Sequence, residues 1–301
     1  MQFQRRTLLT STALLLTVAL SACSGGSSSD GPEIKIGSKE FTEQYLLGHM
    51  FEMVLDNAGY NADYNALGGT SENHAALIAG EIDLYPEYTG TALLVHLEQT
   101  YDPAMSTMDV YDKVKADYVE QFSVVLLDPT SFNNTYALVM TKDRANELGV
   151  TTVSDISANA SGLIFGTDLE FADRSDGLPA LKETYGGFDF AEVKSLDPGL
   201  LYSGLDTGDI DVTTGYGTDG QIAAFDLLVL EDDQKFWPPY PVAPFIRQET
   251  LDANPEIAEV LNSVTVLLDD ETMSTLNWEV AGNGREPDEV AREFLEEQGL
   301  L

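Results

Sequence analysis

The chain reads as an α/β protein of two lobes, each a β-sheet flanked by helices. Two observations carry that expectation. Short apolar runs of strand length alternate with segments of helical period along most of the sequence, as in layered α/β units with buried sheets. Behind an N-terminal leader and tether, roughly 270 residues remain, more than one ordinary hydrophobic core organises.

The elements follow in order. Ile34–Gly37 is a short strand. Thr42 is placed to cap a helix from Glu43 to Asn57, with Leu46, Met50, Met53 and Val54 on one side and Gly59 beyond its end. Ala75–Ala79 reads as a second helix closed by Gly80. In Ile82–Leu94, Ile82 and Leu84 alternate with polar neighbours, as in a half-buried strand. Pro86 has no N–H to donate and is expected to end that strand, leaving Tyr88 and Thr91 on an exposed turn before a helix. Loops on a rigid scaffold are where binding residues concentrate. A helix is expected over 108–120, and strands over Val124–Leu127, Tyr136–Thr141, Leu163–Gly166, 193–196, 210–214 and 227–230. The C-terminal stretch reads as helices, one starting at Asn254-Pro255-Glu256 and another at Pro287–Glu297.

The N-terminus has the form of an export signal, residues 1–22. Arg5 and Arg6 precede an apolar run from Leu8 to Leu20. That run is shorter than the about 20 residues a bilayer span needs and suits a signal-peptide core. The paired arginines fit the twin-arginine route. The run ends in Leu20-Ser21-Ala22-Cys23, which reads as a lipobox, so Cys23 is expected to carry a diacylglyceryl thioether and anchor the chain to the cell membrane. Residues 23–32 are then the lipidated cysteine and a Gly/Ser-rich flexible tether.

Charge narrows the function classes. The chain has 51 Asp+Glu against 15 Lys+Arg, a net charge of −36, far beyond the few charges that solubility needs. Such a surface repels itself at low salt, which points to a halophilic source and excludes nucleic acid as a partner. His49, His74 and His96 are scattered, with no HExxH and no paired cysteines, so no metal site is expected. There is no GxSxG elbow, no SxxK, and no Gly-Lys-Ser/Thr after the glycines of LGGTSENH. No cofactor and no catalytic residues are expected.

Five segments carry a family resemblance: GSKEFTEQYLL (37–47), LGGTSENHAALIAGEIDLYPEYTGTAL (67–93), FNNTYAL (132–138), DPGLLY (197–202) and FWPPYPVAP (236–244). In these segments, and in their order, the chain resembles the substrate-binding proteins of osmoprotectant ABC importers for glycine betaine, choline, carnitine and related quaternary amines. The resemblance runs from about Ile34 to Leu301. It implies a type II periplasmic-binding-protein-like clamshell with two crossings, near Asn133-Asn134 and near Trp237-Pro238-Pro239. One lobe would hold 33–133 plus 238–301 and the other 134–237. It also implies an extracytoplasmic protein that works with an ABC permease and ATPase.

A quaternary ammonium group cannot donate a hydrogen bond, and its charge is spread over methyl groups. Aromatic faces hold it through the ring quadrupole while burying the methyls. A carboxylate at the other end of the ligand needs cationic or N–H donors. The resemblance places cage tyrosines at Tyr88, Tyr136, Tyr216 and Tyr240. Lys39, Thr91 and Arg174 are the candidates for the anionic end. Lys39 also lies just before the helix expected from Thr42, where free backbone N–H groups favour an anion. Asn134 is a candidate polar contact, and Gln44 a weaker one. Glycine betaine is the first choice of ligand, with choline, carnitine and proline betaine beside it. The alternatives are an osmolyte-sensing receptor module, or an enzyme on the same scaffold.

Overall fold

The computed structural model describes residues 31–174 and 177–301. Cys23, the leader and most of the tether lie outside the described residues. Among the described residues, ten strands form two sheets: β1 (Glu33–Ser38), β2 (Asn61–Ala66), β3 (Leu84–Tyr88), β4 (Val124–Leu126), β5 (Tyr136–Thr141), β6 (Ile164–Thr167), β7 (Glu192–Ser195), β8 (Val212–Tyr216), β9 (Leu227–Val229) and β10 (Val242–Arg247). The first sheet has the order β2-β1-β3-β10-β4 and the second β7-β6-β8-β5-β9.

The two sheets repeat one plan. In each, three strands run parallel, β1 with β2 and β3, and β6 with β7 and β8. In each, the first strand after a crossing takes the fourth place, antiparallel to a neighbour on either side: β5 between β8 and β9, and β10 between β3 and β4. The chain passes between sheets after β4 and again after β9. The two passages are bonded to each other. The Asn133 side-chain oxygen accepts from the Tyr240 N–H at 2.7 Å, and the Asn134 N–H donates to the Tyr240 carbonyl at 3.3 Å.

Helix Thr42–Asn57 organises the first lobe. Leu46, Leu47, Met50, Phe51 and Leu55 are fully buried along it. It packs on β1 and β2 and on three helices from the far end of the chain, Ile257–Thr265, Asp270–Ala281 and Pro287–Glu297. Burying that apolar face therefore requires the C-terminal segment to return to the lobe in which the chain began.

Several expectations need correction. Pro86 does not end a strand but lies inside β3, directly opposite Pro244 of β10. Neither ring interrupts the ladder. The Pro244 carbonyl points outward to the Leu127 N–H, at 3.0 Å, so this is a non-hydrogen-bonded pair in which both nitrogens face away from the partner strand. On the other side of β3, β1 pairs only at Leu84 and leaves Pro86 no acceptor to satisfy. Tyr88 and Thr91 are not on an exposed turn; both are buried, because they face the cleft between the lobes. Thr42 is the first helical residue rather than the cap, which is Phe41 with no side-chain capping bond. The second helix starts at Thr70, five positions before the expected Ala75. Strands β2 and β10 had no counterpart in the sequence reading. β2 is polar because it is a sheet edge, and Pro244 disguises the apolar run of β10.

Candidate functional site

Eight of the nine residues proposed from the sequence, all but Gln44, line one cavity of about 330 Å³ between the sheets. Tyr88 closes β3, Tyr136 opens β5, Tyr216 closes β8, and Tyr240 lies two residues before β10. Tyr136 and Tyr216 are register partners on neighbouring strands. Their rings lie 5.2 Å apart, and Tyr240 meets Tyr136 edge-on at 5.8 Å. Gly90 makes room for Tyr240, since a Cβ there would fall 2.6 Å from the ring. Asn134 and Thr91 are buried at the cavity wall. Gln44 is also buried, but its side-chain oxygen accepts from the Lys39 N–H and it does not line the cavity.

The two cations differ. The Lys39 ammonium is buried against Glu87 at 2.7 Å, with the Tyr88 ring centroid 4.9 Å away. Glu87 also accepts from the Tyr85 hydroxyl at 3.1 Å and the Tyr88 N–H at 2.7 Å, and it lies 3.3 Å from His96. Burial would push the Glu87 carboxyl up, but Lys39 and His96 outweigh it and hold it at about 2. Lys39 thus spends much of its charge inside the first lobe. Arg174 pairs with Glu170 at 3.1 Å, reaches the Thr70 hydroxyl at 3.4 Å, and sets its guanidinium carbon 5.5 Å from the Tyr136 ring centroid.

Sequence reasoning missed three features. Phe41 stacks between Tyr88 and Tyr216 at 6.3 and 6.1 Å, a fifth aromatic bridging the lobes. Its place two residues after Lys39, in the same segment, was the available signal. Glu43 is a buried and Asp219 a partly buried carboxylate behind the cage positions. Glu43 accepts from the Tyr88 hydroxyl at 2.8 Å; Asp219 accepts from the Tyr216 N–H at 2.9 Å and the Tyr202 hydroxyl at 2.5 Å. Burial, with Glu43 nearby, raises the Asp219 carboxyl to about 7. Nothing in a one-dimensional pattern marks an acid as buried. The histidines are not all scattered either. His74 stacks on His96 at 3.9 Å, and burial together with that neighbour lowers His74 to about 4.

Comparison with known proteins gives the family and the fold. Residues 32–297 match the family described as the substrate binding domain of ABC-type glycine betaine transport systems. The chain is 36% identical over 280 residues to the glycine-betaine-binding protein of Pseudomonas aeruginosa, covering 89% of this chain and 88% of that one. It is 33% identical over 300 residues to the carnitine transport binding protein OpuCC of Listeria monocytogenes, covering 96% and 95%. A crystal structure described as a glycine betaine/carnitine/choline ABC transporter superposes with a TM-score of 0.73 at 33% identity, covering 89% of this chain and 99% of that one. Its two mixed sheets flanked by helices are those of the two-lobed type II binding proteins, and the chain belongs to the family of substrate-binding components of betaine, choline and carnitine ABC transporters.

Proposed function

We propose that this protein captures a quaternary-ammonium compatible solute, glycine betaine foremost, in a cage formed by Tyr88, Tyr136, Tyr216 and Tyr240. The observation that carries this reading is the guanidinium of Arg174 lying 5.5 Å from the Tyr136 ring centroid. A ring face that already attracts a cation suits a ligand whose charge is spread over methyls. Arg174, Lys39 and Thr91 receive the carboxylate, and Asn134 supplies a polar contact at the junction of the lobes. Hinge closure then encloses the ligand and presents both lobes to a permease driven by an ATPase. No bond is made or broken. The chain works outside the cytoplasm, exported by its leader and held to the membrane through lipidated Cys23. Its acidic surface adapts it to concentrated salt.

Calorimetry of the mature protein against glycine betaine, proline betaine, carnitine and choline in high salt tests the reading. Tightest binding of a zwitterion is expected. Binding of none of the four overturns it. A permease and an ATPase that co-purify with the protein separate import from sensing.

A further inference from the structure

Two buried glutamates stand behind the first-lobe wall, and only one has a cationic partner. Glu87 has Lys39 and His96. Glu43, one residue into helix Thr42–Asn57 and 2% exposed, has none among the described residues. Its carboxylate is held instead by four uncharged donors from four parts of the chain. One oxygen accepts from the Tyr88 hydroxyl at 2.8 Å and the Asn134 amide at 2.8 Å. The other accepts from the Thr218 hydroxyl and from the Asn277 amide at 3.1 Å. Four donors fill the acceptor sites of an ionised carboxylate. Two of them are amide N–H groups, which only donate. Burial raises the Glu43 carboxyl and the bonds from Thr218, Tyr88, Asn277 and Asn134 oppose that rise; a protonated Glu43 would have to reverse a hydroxyl.

A buried charge without a counter-ion is costly. Here the cavity lies on the other side of Tyr88. A carboxylate accepting from a phenol also enriches that phenol's ring, and a ring face attracts cations through its electron density. We propose that Glu43 is a positioning and specificity residue: it fixes Tyr88 and, as an unneutralised carboxylate behind the ring, selects ligands with a permanent positive charge over uncharged groups of the same shape. This rests on the cage reading given above.

The test compares glycine betaine with 3,3-dimethylbutanoate, which replaces the ammonium nitrogen by carbon and keeps the shape and the carboxylate. Glu43→Gln keeps the side-chain size, and its new N–H can donate to the Thr218 hydroxyl, which rotates to accept, while Asn277 keeps its bond to the Thr218 carbonyl at 3.0 Å. The variant should bind betaine about tenfold more weakly and change the isostere less than about twofold. Equal losses for both ligands would mean a structural role and overturn the proposal, as would no loss for either. Tyr88→Phe is the second variant, should Glu43→Gln fail to fold. It keeps ring and carboxylate but cuts the bond between them, and should narrow the betaine preference several-fold; an unchanged preference overturns the proposal. If the wild type binds no quaternary amine, the cage reading falls and this inference with it. If it binds betaine and only the selectivity result fails, this inference alone falls.

Discussion

The two walls of the cleft present similar aromatics but treat charge in opposite ways. On the first-lobe wall, Lys39 and Glu87 are buried together and answer each other at 2.7 Å. On the second, Arg174 pairs with the half-exposed Glu170 and leans over Tyr136. Behind the first wall, Glu87 is held ionised at about 2; behind the second, Asp219 is raised to about 7. Burial acts on both carboxyls in the same direction. The difference is the cation: Glu87 has one within reach, and Asp219 has two neutral donors and Glu43 as a neighbour. Each wall thus sets a cation near a cage ring, Lys39 at 4.9 Å from Tyr88 and Arg174 at 5.5 Å from Tyr136, but the first cation is answered by a fully buried glutamate and the second by a half-exposed one.

The largest expected effect breaks the first wall. Lys39→Ala leaves Glu87 buried without its ammonium partner, with His96, the Tyr85 hydroxyl and the Tyr88 N–H beside it, and should cost about 3 kcal/mol of stability in urea unfolding. Arg174→Ala should cost about 1 kcal/mol, since solvent at the half-exposed Glu170 screens the pair. Comparable losses from the two would erase the contrast. Arg174→Ala should instead lower betaine affinity and leave choline, which has no carboxylate, less affected; equal losses would reassign Arg174 to a structural role.

The rings come next. Tyr136→Ala or Tyr240→Ala should weaken betaine binding about tenfold or more, with Phe better tolerated because the ring quadrupole survives. Ala variants that bind like the parent would remove the cage.

A smaller effect separates the two carboxyls by pH. Asp219 is raised from 3.8 to about 7. Its contribution to stability is therefore complete below 3.8 and is lost as pH rises through 7. Glu87 has the opposite sign: its contribution is present above its ordinary 4.5 and is lost as pH falls toward 2. The wild-type melting temperature minus that of Asp219→Asn should consequently shrink between pH 4 and pH 8. A constant difference would mean that Asp219 titrates normally.

The smallest and least local effect is that of salt. With 51 acidic and 15 basic residues, melting temperature should rise by several degrees between 0.1 and 2 M KCl, as the screening length falls from about 10 Å toward 3 Å or less. Betaine binding should change less than stability does, because the buried cage positions are screened less than the surface. A flat or falling melting temperature would remove the salt-adaptation reading and leave the cage untouched.

Much of the fold was legible before any coordinates. β5 and the last helix were read with their observed limits, because a continuous apolar run and a Pro-led amphipathic segment are local signals. β2 and β10 were not legible: an edge strand need not be apolar, and Pro244 is tolerated because it falls at a non-hydrogen-bonded position opposite β3. The four cage tyrosines came from motif resemblance and Lys39, Thr91, Arg174 and Asn134 from the polar partners a zwitterion needs, rather than from periodicity, and the sequence by itself determined their types and order. Only the tertiary structure decided their electrical roles. Lys39 and Arg174 are both cations in the sequence, and both lie near a cage ring, but one meets the fully buried Glu87 and the other the half-exposed Glu170. Glu43, Glu87 and Asp219 are three acids among 51. What sets them apart is burial and the identity of their donors, and these depend on contacts between segments as far apart in the chain as Glu43 and Asn277.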